Sequence, residues 1–240
     1  MKNLILLSAM VVTSAAQATT IALWDFNGPS TTSIPGGTAA PTPALGAGVA
    51  STFGGITPSF ASGTASGGSS DPVTTSPPNY AWGTTTYNSP LSAGIERGVR
   101  FDVSTAGQSN VIVGFDRRHS NTSSKWIKFE YTLDGVSFSS TGLAANGVLE
   151  NTLGGDKWVN LSSFDLSSIA GANNNAMFGF RIGPVLSPTG ATEASNPTST
   201  YAAGGTLRYD MVKVEAVPEP ATLAVLGMGL AALARRRRSK

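Results

Sequence analysis

Apolar and polar residues alternate in several short runs of this chain. In Asn110–Arg117, Val111, Val113 and Phe115 fall on one side of an extended backbone. From Trp126 to Leu133, Ile127, Phe129, Tyr131 and Leu133 share a face, and Lys128, Glu130 and Thr132 share the other. Phe178, Phe180 and Ile182 alternate with Gly179 and Arg181. Successive side chains of a strand point to opposite faces, so this period of two predicts half-buried β-strands. The phase changes within Leu207–Glu215: Leu207, Tyr209 and Met211 alternate, then Val212 and Val214 do. One extra residue inside the strand accounts for the change, which predicts a bulge near Met211; a strand buried on both faces is the other reading. Asp134-Gly135 separates two runs and predicts a hairpin turn, because glycine accepts a positive φ.

Other segments are less regular. Ser163–Ala170 predicts one short helix, with Ser163 or Asp165 at its start. Residues 27–93 are rich in Gly, Thr, Ser and Pro and predict wide loops, disordered in part, around short strands at Ser51–Phe53, Ile56–Phe60 and Tyr80–Gly83. Many short strands with turns between them make an all-β fold, an antiparallel β-sandwich, the expectation for residues 19–216.

The two ends break this pattern. Lys2, the apolar stretch Leu4–Val12 and Ala16-Gln17-Ala18 have the order of a secretory signal peptide, with cleavage expected after Ala18. At the other end, Pro218-Glu219-Pro220 precedes an apolar run from Ala221 to Ala234 and the basic residues Arg235, Arg236, Arg237 and Arg238. That apolar run has 14 residues. As a helix it spans roughly 21 Å, at about 1.5 Å per residue. A hydrocarbon core is about 30 Å thick and takes about 20 residues. The expected transmembrane helix is therefore short, and Gly227 and Gly229 weaken it further. Basic residues beside a span stay in the cytoplasm, so the arginines stop transfer and the body lies outside.

Val217-Pro218-Glu219-Pro220-Ala221-Thr222-Leu223, the short apolar segment and the arginine run resemble the PEP-CTERM sorting signal of Gram-negative bacteria. The resemblance implies that an exosortase, a membrane cysteine protease, recognises Pro218, Glu219 and Pro220 and cleaves nearby. It implies transient anchoring in the inner membrane, then delivery to the cell surface or beyond. Retention of the tail as a permanent anchor is the competing reading.

Ile21–Asn27, Gly98–Thr105, Phe115–Thr122, Tyr131–Gly135 and Phe180–Ile182 also resemble a jelly-roll domain found in exported bacterial proteins. That resemblance implies a galactose-binding-like or carbohydrate-binding type of sandwich, and it carries no assigned activity.

Charge and composition narrow the function. The whole chain has a formal charge of +2, but six of its 16 basic residues lie in the two ends and one of its 14 acidic residues does. The middle keeps ten basic residues against thirteen acidic ones, a formal −3. A nucleic-acid partner, which wants a basic domain face, is not expected. There is no cysteine, so neither a thiol nucleophile nor a thiolate metal site exists.

His119 is the only histidine and is expected in a solvated turn, with Arg117 and Arg118 in surface ion pairs to Asp116 or Glu130. Asp102, Asp116, Glu130 and Asp210 lie on or beside predicted strands and are the carboxylates a glycan-active enzyme would need in a facing pair. Trp126 is the tryptophan expected at the surface and the candidate for stacking on a sugar. Asp25, in the first strand, and Asp210, in the last, are the candidates for a structural Ca²⁺, whose oxygen-rich ligation carboxylates suit. No catalytic residue is assigned. A non-enzymatic exported protein of the surface or extracellular matrix is expected, with extracellular polysaccharide as its candidate ligand.

Overall fold

The structure is a computed structural model, and it describes residues 17–74, 78–189, 193–196 and 199–219. The expected signal segment up to residue 16, Pro220, the apolar run and the arginines lie outside the described residues. Among the described residues the regular structure is strand and short 3₁₀ turn, and no helix is long and apolar enough to cross a membrane.

Among the described residues thirteen strands form two antiparallel sheets. The larger contains β1 (Thr19–Trp24), β2 (Leu45–Gly46), β4 (Thr57–Ser62), β5 (Tyr80–Thr85), β7 (Gln108–His119), β11 (Lys157–Asp165) and β13 (Leu207–Pro218). Its main order is β11-β7-β13-β1-β2. β13 is long enough for two strands to share one flank: β5 pairs with Leu207–Tyr209 and β1 with Val212–Ala216. The smaller sheet contains β3 (Val49–Phe53), β6 (Gly98–Asp102), β8 (Trp126–Thr132), β9 (Phe138–Ser139), β10 (Val148–Glu150) and β12 (Gly179–Val185), in the order β10-β8-β12-β6-β3 with β9 on β8.

The alternating residues face inward as their period requires. Val111, Val113 and Phe115 of β7 are buried, as are Ile127, Phe129 and Tyr131 of β8 and Phe180 and Ile182 of β12. Aromatic rings join the sheets across the middle. Phe101 stacks on Phe180 at 5.0 Å between centroids and meets Trp24 edge-on at 5.0 Å. Phe129 continues the row to Phe180 at 5.4 Å and to Phe164 at 4.4 Å. Offset or edge contacts of this kind add to the apolar area each ring removes from water.

The tryptophans also fix the loop-rich segment. A buried indole N–H needs an acceptor. Trp24 donates to the Pro41 carbonyl at 3.0 Å, Trp82 to Thr38 at 2.8 Å and Trp158 to Ala65 at 2.9 Å. The three expected strands within residues 27–93 are present as β3, β4 and β5.

Two other local expectations hold. Gly135 has φ 75° in the turn between β8 and β9, and Met211 has φ 47° where the pairing of β13 with β7 shifts between Asp210 and Lys213. The helix expected at Ser163–Ala170 is absent. Strand β11 runs on to Asp165, with Phe164 buried against Phe129, and Asp165 accepts the Ser167 N–H at 2.8 Å to turn the chain. A 3₁₀ turn follows at Ala170–Ala172.

Candidate functional site

Strand β7 is flanked by two bulged strands, and the bulges sit at the same level. On one side β11 shifts register between Val159 and Ser162; on the other β13 shifts between Asp210 and Lys213. Leu161 and Met211, the residues pushed out, have φ of 58° and 47°. Left-handed backbone is unfavourable for such side chains and persists where the surroundings fix it. Here they do: the Leu161 N–H donates to Asp116 Oδ1 at 2.7 Å and the Met211 N–H to Asp210 Oδ1 at 2.8 Å.

The bulges open a cleft of about 290 Å³ on the outer face of the larger sheet. Gly114 lies in its floor, Leu161 and Met211 at its sides, and Ser162, Ser163, Lys213 and Glu215 supply polar groups. Gly114 leaves room that Lys213 crosses: a Cβ there would stand 3.2 Å from Lys213 Cε. Lys213 pairs with Glu215 at 3.0 Å, and Leu161 is 72% exposed.

A roof over one end of the cleft buries carboxylates. Asp116 and Asp210 are directly opposite each other on β7 and β13. Residues 63–71 lie over them: Ser70 donates its N–H to Asp116 Oδ2, and Gly63 passes so close that a Cβ would collide with Asn79 Oδ1 and come within 3.0 Å of Asp210 Oδ2. Both of those oxygens are buried and have no hydrogen bond of good geometry, although the Ser69 hydroxyl lies near enough to act on Asp210. Asp71 accepts one donor on each oxygen, Asn27 Nδ2 at 2.6 Å and the Val73 N–H at 2.7 Å. Burial raises the Asp210 carboxyl to about 8; the Ser69 hydroxyl and the Met211 N–H oppose the rise, and the Asp71 and Asp116 charges add to it. A raised pKa of this size favours the protonated form of Asp210 at neutral pH.

Of the four strand carboxylates, then, the sheet brings two together. Asp102 and Glu130 belong to the smaller sheet, where Asp102 pairs with Arg100 at 2.7 Å and Glu130 with Arg181 at 2.6 Å and Lys128 at 3.0 Å. Asp116 and Asp210 are 1% and 0% exposed, so neither touches a sugar in this arrangement.

Asp25 is engaged elsewhere, its Oδ1 accepting the Asn27 N–H at 3.2 Å. Among the described residues no three His, Cys, Asp or Glu side chains converge as a metal site. Ca²⁺ takes about six to eight oxygens. Around Asp210 the neighbouring carboxylates Asp71 and Asp116 receive N–H donors.

His119 and the arginines correct the sequence reading. His119 is fully buried at the end of β7 rather than in a solvated turn. Its Nδ1 lies 2.8 Å from the Ser124 carbonyl, to which it donates, and its Nε2 accepts from Arg117 Nη1 at 2.9 Å. Burial, then the Arg117 charge, lowers its pKa to about 3, so the ring stays neutral. Arg117 has no ion-pair partner among the described residues; Nη2 donates to the Glu150 carbonyl at 2.8 Å and Nε to Ser162 Oγ at 3.2 Å. Burial lowers its pKa to about 10. Arg118 pairs with Asp156, not with Asp116 or Glu130.

Trp126 is half-buried on the smaller sheet, away from the cleft, and Lys125 Nζ lies 5.4 Å from its ring centroid. A sugar stacking on that face would displace the lysine.

Pro218 and Glu219 of the expected sorting motif continue the last strand. Pro218 ends β13, paired with Gln108, and the Glu219 N–H donates to the Gly107 carbonyl at 3.0 Å. Pro220 and Arg235–Arg238 lie outside the described residues. Ala18 is exposed, immediately before β1.

Leu161, Asn79, Gly63 and Asp71 had no sequence signature, because what assembles them is a loop folding back over two bulges. Met211 did have one, the change of phase.

Residues 216–238 match the PEP-CTERM protein-sorting motif. No curated protein matches the chain in sequence. Among solved structures the chain is similar to the CBM22-1 xylan-binding domain of Paenibacillus barcinonensis Xyn10C, at 11% identity and a TM-score of 0.42, over 86% of this chain and 99% of that one. It is also similar to the K1 cleaved adhesin domain of Lys-gingipain from Porphyromonas gingivalis W83, at 9% identity and a TM-score of 0.35, over 86% and 99% of the two chains.

Proposed function

We propose that the protein is a non-enzymatic exported component of the cell surface or extracellular matrix, which an exosortase processes at its C-terminus. The observation that carries this reading is the PEP-CTERM motif at residues 216–238, which begins where the sandwich ends. The signal segment 1–18 starts export, the segment 221–234 holds the chain in the inner membrane, and Arg235–Arg238 stop its transfer. The protease reads Pro218, Glu219 and Pro220 and frees the sandwich.

In this proposal the sandwich holds extracellular polysaccharide in the cleft between the two bulges. Hydroxyls of Ser162 and Ser163, the Lys213–Glu215 pair and the apolar sides of Leu161 and Met211 are the mixed polar and apolar lining that sugar rings and their hydroxyls use. The burial of Asp116 and Asp210 favours binding over hydrolysis.

Two measurements test the two halves. Glu219→Gln, or deletion of Arg235–Arg238, is expected to leave the full chain in the wrong membrane fraction; normal release of both variants would sink the sorting half. A glycan array probed with the mature protein is expected to show a polysaccharide class whose binding falls with Lys213→Ala. Binding indifferent to Lys213 and to Leu161→Ser would remove the cleft from the account.

A further inference from the structure

The sorting motif has no linker in front of it. β13 stays paired with β7 through Val217 opposite Ser109 and Pro218 opposite Gln108, and the Glu219 N–H then donates to the Gly107 carbonyl at 3.0 Å. Ser109 Oγ adds a hydrogen bond to the Val217 carbonyl at 3.2 Å. The acceptor side is itself held. The Gly107 N–H donates to Asn174 Oδ1 at 2.7 Å, the Gln108 N–H to the Thr105 carbonyl at 2.9 Å and the Asn174 N–H to the Gln108 carbonyl at 2.8 Å.

Proteases commonly take an extended substrate by adding it as a strand, which needs free backbone groups along one edge. Backbone N–H groups of an antiparallel strand point to alternate sides. The N–H groups of Val217 and Glu219 therefore face β7. Among the described residues the other edge has no partner beyond Ala216, since β1 begins at Thr19 opposite Ala216. Residue 218 would donate on that side, and as a proline it has no N–H. The edge left unpaired among the described residues lacks its donor, and the edge with donors is occupied by β7.

We propose that this end of β13 is a latch on the sorting motif: the exosortase engages the whole of Pro218-Glu219-Pro220 only after residues 217–219 peel away from residues 107–109. The inference rests on the exosortase reading above. Its consequence is that the folded sandwich sets the rate at which its own tail is processed. Folding before processing protects the motif, and fraying at one corner of the sheet exposes it.

The test is a pulse-chase of the full chain in its native host, following conversion of precursor to mature protein. Six Gly/Ser residues inserted between Ala216 and Val217 take the motif off the sheet and are expected to accelerate conversion. Asn174→Ala combined with Ser109→Ala leaves the tail untouched and loosens its partner segment. Loss of a hydrogen bond of this kind shifts an opening equilibrium by roughly fivefold, so this variant should also be processed several-fold faster. Glu219→Ala should block processing in every background. A wild-type chain that is processed, with both latch variants at or below its rate, overturns the latch and leaves the sorting reading intact. A wild-type chain never shortened at its C-terminus, and indifferent to Glu219→Ala, overturns the sorting reading and the latch together.

Discussion

Asp210→Asn is expected to stabilise the domain at neutral pH. Asp210 lies fully buried on the central strand of the larger sheet, opposite Asp116. Its Oδ1 accepts the Met211 N–H that holds the bulge, while its Oδ2 is buried beside Gly63. With its folded pKa raised to about 8 from an ordinary 3.8, the native state keeps a proton that the unfolded chain releases. Stability is then fully present below pH 4 and is lost as pH rises towards 8, by about 1.4 kcal/mol for each unit crossed. At pH 7 the interval is some three units, an upper bound of about 4 kcal/mol; relaxation and water penetration bring the expected loss to about 2–4 kcal/mol.

Asparagine keeps the acceptor for Met211, places an N–H₂ where the proton was and does not ionise. The assay is urea unfolding of the exported protein between pH 5 and 8.5, for wild type and Asp210→Asn, each with and without a calcium chelator. The wild type should lose stability as pH rises across this range, the variant should lose much less, and the chelator should change neither. A variant less stable than wild type at pH 8, or a chelator that destabilises only the wild type, would refute the protonated Asp210 and restore a cation to this position.

Two further outcomes follow from the core. Phe101→Ala, which removes the ring that touches Trp24, Trp82 and Phe180, should cost about 3–5 kcal/mol in the same unfolding assay; a loss under 1 kcal/mol would mean the sheets are not joined through it. The His119 imidazole should show no NMR titration between pH 5 and 8, because its folded pKa is lowered to about 3; its contribution to stability is present above pH 6.5 and is lost as pH falls below that value. A titration midpoint near 6.5 would contradict the buried Arg117–His119 pair.

The strands were legible because one face of each is buried and the side-chain period is two. Val111, Val113 and Phe115 declared β7, and the broken phase at Met211 declared its bulge. Asp134-Gly135 was legible as a turn because the conformation it needs is a property of glycine itself. The misread stretch was Arg117-Arg118-His119. The arginines read as surface ion pairs and the histidine as a solvated turn, and all three are buried, as is Asp116 before them. They continue β7 because Ser70, Glu150 and Ser124, distant in sequence, bring the hydrogen bonds that polar side chains need in the interior. Ser163–Ala170 failed for a related reason. Ser163 and Asp165 suit a helix start, yet Phe164 has a partner in Phe129 only if the chain stays extended. The sorting motif was legible in full, since Pro-Glu-Pro, a short apolar run and terminal arginines are local features. Its attachment to β7 was not, because the sequence does not show where a strand stops pairing.

The most direct test of the account is the intact mass of the mature protein recovered from the surface or medium of its host. The mass should correspond to a chain that begins at Thr19 and ends near the Pro-Glu-Pro motif, without Arg235–Arg238, and Glu219→Ala should leave the C-terminus whole. A mature protein that retains Lys240 in the wild type would contradict exosortase processing and make the tail a permanent anchor.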